Sequence, residues 1–355
     1  MKYFSFMLAL SWCLGGCSKH GGEPLPTNPV LEIKAADLSY LPLVRASGIT
    51  IKNAAGNPED MLTTLKASGA NCVRLRLWHS PADATSSFAA VKALAAEIKS
   101  RGLKLWLTVH YSDTWADPGT QQLPAAWVGI SFTALKDSVA AYSQKIALEI
   151  KPDYVQIGNE INDGFLWPQG KMSSNLAQCK ALLGAAAQAF RTHAASSKII
   201  LHCAGYTDAP YFFNTLSSVD YDVMAISYYP LWHGKDLLSL KTALTNLVLQ
   251  NNKPLIIAET AYPFTLGYND YTNNIVGLSS QLISNYAASP QGQKDFLQQI
   301  KNIVTQTNRG LGFCYWGAEW IALYGPTATN GSTWENQALW DFNNQALPAM
   351  EVFKD

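Results

Sequence analysis

The sequence has no excess of charge of either sign, because 26 lysines and arginines balance 26 aspartates and glutamates over its 355 residues. A surface that attracts nucleic acid or an anionic membrane carries a basic excess, so we expect no nucleic-acid partner. Cysteine is also scarce, and the six residues match neither a CxxC metal site nor a dense disulfide framework. We expect Cys72, Cys179, Cys203 and Cys314 to be buried free thiols.

Three motifs that mark other enzyme classes are missing. No HExxH occurs, which argues against a zinc hydrolase, and no GxSxG occurs, which argues against a serine esterase. No GxGxxG follows the first predicted strand, so a doubly wound dinucleotide-binding sheet is the disfavoured alternative. Apolar residues, by contrast, are not depleted. A hydrophobic content of 48% is enough for a substantial core and excludes a disordered chain.

The N-terminus has the composition of an export signal, predicted over residues 1–16: Lys2, an apolar run over 3–14, and two glycines before Cys17. Residues 14–17 resemble the bacterial lipobox, which implies cleavage before Cys17 and acylation of its thiol. An ordinary signal peptide cut elsewhere is the alternative. Residues 17–33 are predicted as a flexible tether, because they are rich in polar residues, glycine and proline. We therefore expect an exported lipoprotein on a bacterial outer membrane or cell surface.

From residue 34 to residue 355, short apolar runs alternate with longer segments of helical period, which predicts parallel strands joined by helices. Eight strands fit this pattern, so the predicted fold class is α/β, a single (β/α)₈ TIM barrel that forms the catalytic domain. The predicted strands are 36–40, 72–78, 103–110, 154–158, 199–203, 223–227, 255–258 and 312–315. The predicted helices are 58–68, 88–100, 134–149, 175–195, 237–249 and 291–307.

Two glutamates stand directly after predicted strands: Glu160 after the fourth and Glu259 after the seventh. In a (β/α)₈ barrel the carboxyl ends of all strands open into the same mouth, so both side chains can reach one site. Glycoside hydrolysis requires such a pair, one carboxylic acid to protonate the leaving oxygen and one carboxylate to attack or to activate water. A lone glutamate in this place is as often part of a structural ion pair, but two on one rim favour chemistry.

The surrounding motifs carry a more specific resemblance, above all the SDTWADP stretch at 112–118. Together they resemble glycoside hydrolase family 53, the arabinogalactan endo-β-1,4-galactanases, within the clan of retaining (β/α)₈ glycosidases. The motifs lie in order at 36–40, 73–78, 110–119, 158–162, 166–168, 227–230 and 259–263. With the segment after the last predicted strand, the resemblance extends from about residue 36 to residue 321 and covers nearly the whole predicted domain.

The resemblance implies an endo-acting enzyme that cleaves β-1,4-galactosidic bonds in plant galactan or type I arabinogalactan by double displacement. It implies Glu160 as acid/base and Glu259 as nucleophile. It also implies that Arg74 keeps Glu259 ionised and that Asn159 binds the 2-hydroxyl of the sugar. The alternatives are the same chemistry on another β-linked glycan, such as mannan or glucan, and a surface lipoprotein that binds glycans without cleaving them.

Further candidate residues lie at the predicted strand ends and in the loops that follow. We expect His110 and Tyr228 to orient the carboxylates, and Asp37 and Asp117 to bind sugar hydroxyls or to tie loops down. By resemblance, Trp316 forms the floor of the subsite where the sugar is cleaved. The remaining expected groove residues are Trp115, Trp232 and His233.

Two segments depart from the family pattern. After the last strand the chain reads WGAEWI, where the family usually has WEPAW, so the acidic residue is displaced to Glu319 and its role stays open. Many bacterial members also carry an acidic calcium-binding loop after strand seven. Here that loop holds Asp270 among neutral amides, which is a poor cage for a hard cation. We therefore predict no essential metal and no cofactor.

Overall fold

A computed structural model describes Met1 and residues 30–355 of the chain. Eight parallel strands pair in sequence order, and the last pairs with the first, so the sheet closes into a barrel. The strands are β1 Ile33–Asp37, β2 Cys72–Leu77, β3 Lys104–Val109, β4 Tyr154–Ile157, β5 Lys198–Ala204, β6 Val223–Ser227, β7 Leu255–Thr260 and β8 Gly310–Tyr315. The predicted (β/α)₈ barrel is confirmed.

The first strand differs from its predicted position at 36–40. It covers Ile33–Asp37, because the Asp37 carboxylate accepts hydrogen bonds from the backbone N–H and the hydroxyl of Ser39 and so turns the chain out of the sheet. Leu31 and Ile33 are already buried, so the folded domain begins slightly before residue 34. The predicted signal and most of the predicted tether, including Cys17, lie outside the described residues.

Nine α-helices surround the described barrel. They are α1 Leu41–Ala46, α2 Met61–Ala67, α3 Phe88–Ser100, α4 Phe132–Glu149, α5 Met172–His193, α6 Ala209–Thr215, α7 Pro230–His233, α8 Leu237–Asn251 and α9 Pro290–Gln306. All six predicted helices are present, whereas α1, α6 and α7 are too short to show a clear apolar period. Serine hydroxyls cap the starts of α3, α4 and α9, at Ser87, Ser131 and Ser289. No helix among the described residues is both long enough and apolar enough to cross a membrane.

The barrel core consists of two apolar layers. One lies between the strands and the outer helices, and the other fills the barrel interior with aliphatic side chains and cysteines around Trp106 and Tyr154. Cys72 and Cys314 belong to this interior layer, and the four described cysteines are buried and free, as predicted. Above the interior layer the inward-facing side chains become polar. The barrel therefore closes its lower part with apolar packing and leaves its upper end for chemistry.

Closure of the barrel depends on a glycine in β8. Gly312 pairs with Ile33 of β1, and a Cβ atom at this position would lie 1.9 Å from the Ile33 carbonyl oxygen. We expect Gly312→Ala to lower the free energy of unfolding by about 3 kcal/mol or more, because one of the two strands must move. The matched control is Gly184→Ala in α5, where a Cβ meets nothing within 4 Å. That change should stabilise the protein by about 0.5–1 kcal/mol in urea denaturation, and equal effects at both positions would contradict the interpretation.

Candidate active site

A cavity of about 490 Å³ opens at the carboxyl ends of the strands. Eleven of the twelve predicted site residues line it, and Tyr228 is the exception. The lining residues predicted from the sequence are Asp37, Arg74, His110, Trp115, Asp117, Asn159, Glu160, Trp232, His233, Glu259 and Trp316. The barrel thus brings together residues from nearly every part of the chain.

The backbone after β4 turns sharply to present Glu160 to the cavity. Gly158 has φ +77°, and a Cβ there would lie 2.5 Å from the Ile161 side chain, so only glycine fits. Glu160 itself has φ +47°, a left-handed conformation that is uncommon outside glycine and asparagine. Its carboxylate accepts a hydrogen bond of 2.5 Å from the Ser227 hydroxyl at the end of β6. This strained turn places the carboxyl group directly in the cavity.

Glu259 is held from two sides. Arg74 of β2 donates to one carboxylate oxygen at 2.8 Å, and the Tyr229 hydroxyl donates to the other at 3.0 Å. Arg74 is itself buried, and its second terminal nitrogen donates to Asp37 at 3.2 Å. Both carboxylates therefore compensate one buried cation, which fixes the orientation of Glu259 in the cavity.

The environments of the two glutamates give them different protonation states. Burial and the negative charge of Glu259 raise the pKa of Glu160 to about 8. Burial also raises the pKa of Glu259, but the Arg74 cation and the Tyr229 hydrogen bond oppose that increase. A carboxylate oxygen of Glu160 lies within 4.8 Å of one of Glu259. At neutral pH the proton therefore resides on Glu160, while Glu259 is the carboxylate that the cation stabilises.

A hydrogen-bond network beneath the carboxylates includes residues that the sequence analysis missed. His202 of β5 contacts the Ser227 hydroxyl through Nε2 at 2.9 Å and the Gln156 amide through Nδ1 at 2.9 Å. The Gln156 amide nitrogen also donates to Asn159 Oδ1, which accepts a further bond from Arg74. Gln156 lies one residue before the end of β4 and His202 two residues before the end of β5, and strand alternation could have identified both as inward-facing. His202 connects to Glu160 through Ser227, and Gln156 connects to Glu259 through Arg74, so one hydrogen-bond network supports both carboxyl groups.

Tyr228 was predicted to orient the carboxylates, but Tyr229 occupies that place. Ser227 faces the barrel centre, so strand alternation turns Tyr228 outward and Tyr229 inward. The Tyr228 side chain is buried in the outer layer, and its hydroxyl donates to the Gly234 carbonyl. Residues 228 and 229 are both tyrosines at the end of β6, and composition alone could not separate them.

The other polar residues of the cavity hold its loops. His110 accepts the Ala116 N–H through Nδ1, and burial lowers its pKa well below the ordinary value, so it is neutral. Asp117 accepts the N–H groups of Gly119 and Thr120 within a turn. Asp37 is occupied by Arg74 and Ser39. Two roles were predicted for these aspartates, binding sugar hydroxyls or tying loops down. The contacts in the structure are those of the second role.

A continuous row of aromatic rings lines the cavity. Trp115, Trp316 and Trp320 pack edge to face or tilted, with ring centroids 4.8–6.1 Å apart. Trp334 packs edge to face on Trp316 at 4.8 Å, and Trp232, whose side chain is 55% exposed, stacks on Trp334 at 6.2 Å. Flat apolar faces with polar edges suit the faces of sugar rings. The cavity therefore combines one continuous aromatic wall with the two carboxylates.

Among the described residues, one group of three side chains of metal-ligating type converges within 4.8 Å: Glu160, His202 and Glu259. These atoms already bond to protein partners, and Arg74 places a positive charge beside Glu259. The arrangement suits proton transfer better than cation binding. The sequence-based prediction of no cofactor stays a prediction.

The loop after β7 gains a second carboxylate that its own sequence does not contain. Glu335, from the segment after β8, accepts the Asn269 N–H, and Asp270 accepts the Thr272 N–H. The second oxygens of both carboxylates are buried without a partner. Calcium takes about six to eight oxygen ligands, and with the unpartnered Asn274 amide oxygen these side chains offer three. Because Asp270 and Glu335 do not line the catalytic cavity, no step of the chemistry involves them.

Comparison with known proteins agrees with this geometry. The family model "Glycosyl hydrolase family 53" matches residues 33–353. The chain is 32% identical to the "Endo-beta-1,4-galactanase" of Bacillus subtilis, over 91% of this chain and 85% of that protein. It is also 32% identical to the "Arabinogalactan endo-beta-1,4-galactanase" of Cellvibrio japonicus, over 90% of this chain and 89% of that protein.

Solved structures give the same result. The Ignisphaera aggregans GH53 catalytic domain is 36% identical, with a TM-score of 0.87 over 93% of this chain and 98% of that domain. A fungal β-1,4-galactanase structure is 30% identical, with a TM-score of 0.80 over 91% of this chain and 99% of that one. Both the sequence and the fold match over nearly the whole described domain. The chain therefore belongs to glycosyl hydrolase family 53.

Proposed function

We propose that the protein is an endo-β-1,4-galactanase that hydrolyses plant galactan and type I arabinogalactan with retention of anomeric configuration. The observation that carries this proposal is the pair Glu160 and Glu259, whose carboxylate oxygens approach within 4.8 Å in a cavity lined by aromatic rings. Retaining glycosidases have carboxyl groups about 5–5.5 Å apart, whereas inverting ones need about 6.5–9.5 Å to admit a water molecule. The β-1,4-galactanase activity for which the Bacillus subtilis and Cellvibrio japonicus relatives are named supports the choice of substrate.

The two protonation states define the steps of double displacement. Protonated Glu160 donates its proton to the glycosidic oxygen while the Glu259 carboxylate attacks the anomeric carbon, so the leaving chain departs and a glycosyl ester forms. Esterification removes the negative charge of Glu259, which is one cause of the raised pKa of Glu160. Glu160 then accepts a proton from water, and the water oxygen replaces Glu259 at the anomeric carbon. Two displacements restore the original configuration.

Arg74 and Asn159 support the same steps from the cavity floor. The Arg74 cation stabilises Glu259 as a carboxylate and orients the oxygen that attacks. The Asn159 side chain lines the cavity and is fixed by Arg74 and Gln156, so its position does not depend on the substrate. A preorganised polar group that contacts the reacting sugar contributes most where charge develops. The aromatic wall of the cavity suits the faces of sugar rings, and the family and the named activities of the relatives support endo action.

We expect Glu160→Gln and Glu259→Gln each to lower the release of reducing sugar from β-1,4-galactan by about a thousandfold or more, because each removes a proton donor or a nucleophile. The soluble domain is the enzyme in these assays, and mannan and cellulose are tested as substrates in parallel with galactan. The matched control is Glu351→Gln, which changes an exposed glutamate paired with Lys294 and should retain full activity. Proton NMR of the first product should show the β-anomer.

Each outcome of that assay separates one alternative. Preferential cleavage of mannan or cellulose would change the substrate but keep the mechanism. Binding of galactan without release of sugar by the unmodified domain would favour a surface glycan-binding lipoprotein. Formation of the α-anomer as the first product would show that the enzyme inverts the anomeric configuration.

The pKa of Glu160 predicts the alkaline limb of the pH profile. The acid must be protonated to act, so kcat/KM for galactan should fall as the pH rises through about 8. The hydrogen bond from Ser227 lowers the pKa of Glu160, and Ser227→Ala should therefore move this limb to higher pH. The measurement is kcat/KM between pH 5 and pH 10, with thermal unfolding at each pH as the control. A limb that does not move in Ser227→Ala would contradict the assignment.

We also propose that the enzyme is exported and anchored to the membrane through an acylated Cys17, as the lipobox-like residues 14–17 suggest. The expected result is incorporation of labelled palmitate into the full-length chain expressed in a bacterial host. Cys17→Ala should abolish the label and release the enzyme from the membrane fraction, because the thiol that carries the lipid is lost. The control is Cys13→Ala, which removes a cysteine inside the predicted signal and should leave the label in place. Labelling that persists in Cys17→Ala would contradict the anchor.

A further inference from the structure

The imidazole of His202 is fully buried and does not line the catalytic cavity, and no step of the double displacement involves it. Its two ring nitrogens nevertheless make different contacts. Nδ1 lies 3.3 Å from the Glu160 backbone nitrogen and 2.9 Å from the Gln156 amide nitrogen. Nε2 lies 2.9 Å from the Ser227 hydroxyl. The nitrogen that carries the ring proton therefore determines what His202 does to Ser227.

Two hydrogen-bond donors point at Nδ1. A backbone N–H can only donate, so the Glu160 N–H requires an acceptor at Nδ1. The Gln156 amide is oriented by Arg74, which has only donors and therefore faces the amide oxygen. The amide nitrogen of Gln156 consequently lies on the His202 side, and it donates to Nδ1. A proton on Nδ1 would oppose both of these donors.

The ring of His202 therefore carries one proton, on Nε2. Burial and the Arg74 cation lower the pKa of His202 well below its ordinary value, so the ring is neutral. Asn159 Oδ1 also lies 3.2 Å from Nδ1, but this oxygen already accepts from Arg74 and Gln156. In a neutral imidazole, the hydrogen bond that one nitrogen accepts places the proton on the other nitrogen.

The tautomer of His202 fixes the direction of the Ser227 hydroxyl. Since Nε2–H donates to the hydroxyl oxygen, the single hydrogen of that hydroxyl is left for Glu160 Oε1, at 2.5 Å. The reverse bond, from Glu160 to Ser227, would leave this hydrogen without an acceptor among the described residues. Ser227 is fully buried, where an unmade hydrogen bond is costly.

The direction of this bond determines where Glu160 holds its own proton. Oε1 already accepts the Ser227 hydrogen, so the acid proton of Glu160 belongs on Oε2. Oε2 has no hydrogen-bond partner in the described part of the chain, and it is not among the enclosed polar atoms that lack one. It is therefore the oxygen that is open to the catalytic cavity.

We propose that His202 is a positioning residue that acts through Ser227 and keeps the acid proton of Glu160 on the oxygen that faces the substrate. This inference rests on the proposed galactanase function. Without the His202 donor, the Ser227 hydroxyl can turn, and Glu160 can place its proton on Oε1, away from the glycosidic oxygen. The first displacement then lacks its proton donor for part of the time.

Nitrogen-15 NMR of the protein with labelled histidine tests the tautomer without any substrate. We expect His202 to show a bare Nδ1 and a protonated Nε2 from about pH 5 to pH 9, with the signals assigned by their loss in His202→Gln. A proton on Nδ1, or a cationic ring in this range, would overturn the proposal whatever the enzyme cleaves.

Two substitutions of His202 separate its nitrogens in kinetic assays. Glutamine reaches as far as Nε2 and can donate to Ser227, whereas asparagine reaches only to Nδ1 and can accept the Glu160 N–H. We expect His202→Asn to lower kcat/KM for galactan about tenfold or more and His202→Gln to stay within about threefold. Both replacements are neutral, so the charges that face Glu160, on Glu259, Arg74 and Asp117, do not change.

A dinitrophenyl glycoside of a β-1,4-galacto-oligosaccharide is the matched substrate, because its leaving group departs without a proton. Both variants should cleave it as fast as the unmodified enzyme does. In the Ser227→Ala background, His202→Asn should cause no further loss on galactan, since the two residues act as one unit.

The outcomes distinguish the proposal from a merely structural role. Equal losses on galactan and on the activated substrate, or better activity in His202→Asn than in His202→Gln, would overturn it and leave His202 as a support for the Glu160 backbone. No cleavage of galactan by the unmodified enzyme would overturn the proposed function instead, and the NMR result would still decide the tautomer.

Discussion

Arg74 is a cation in the centre of the barrel, and its burial constrains everything around it. An unpaired charge in this position is strongly unfavourable, and breaking a buried ion pair typically costs about 3–5 kcal/mol. Arg74 is therefore surrounded by acceptors from three other strands: Asp37, Gln156 with Asn159, and Glu259. The same contacts that compensate the cation fix the orientation of the Glu259 carboxylate, the proposed nucleophile. One set of contacts therefore both stabilises the barrel centre and preorganises the site.

The separation of roles between the two glutamates follows from what each one touches. Glu259 contacts a cation and a tyrosine hydroxyl, whereas Glu160 contacts only the neutral Ser227 hydroxyl and faces the charge of Glu259. Two carboxyl groups of identical chemistry therefore hold one proton between them in a defined place. In the proposed double displacement, esterification of Glu259 removes the charge that raises the pKa of Glu160, so the acid of the first step can act as the base of the second.

A second buried cation organises the aromatic wall. Arg76 is buried, and its guanidinium group lies 4.0 Å from the Trp115 ring centroid and 4.6 Å from that of Tyr40. No carboxylate among the described residues forms an ion pair with it, so cation–π contacts provide much of its stabilisation. Arg74 and Arg76 are two residues apart on β2 and face the same side. Arg74 forms ion pairs with carboxylates, whereas Arg76 packs against aromatic rings.

The sequence by itself determined the eight-stranded order, the two glutamates at strand ends and most of the cavity lining, because period-two and period-3.6 patterns and strand-end positions are local properties. It could not separate Tyr228 from Tyr229, since that choice depends on which side of β6 faces the centre. Strand alternation places Gln156 and His202 on the inward face, but their importance comes from partners on other strands, which the sequence does not show. Glu335 lies near Asp270, and the Glu319 carboxylate accepts the Tyr40 backbone N–H at 2.7 Å. Both are contacts between loops far apart in the chain. Only the tertiary structure decided these, because hydrogen bonding and burial depend on neighbours that sequence proximity does not specify.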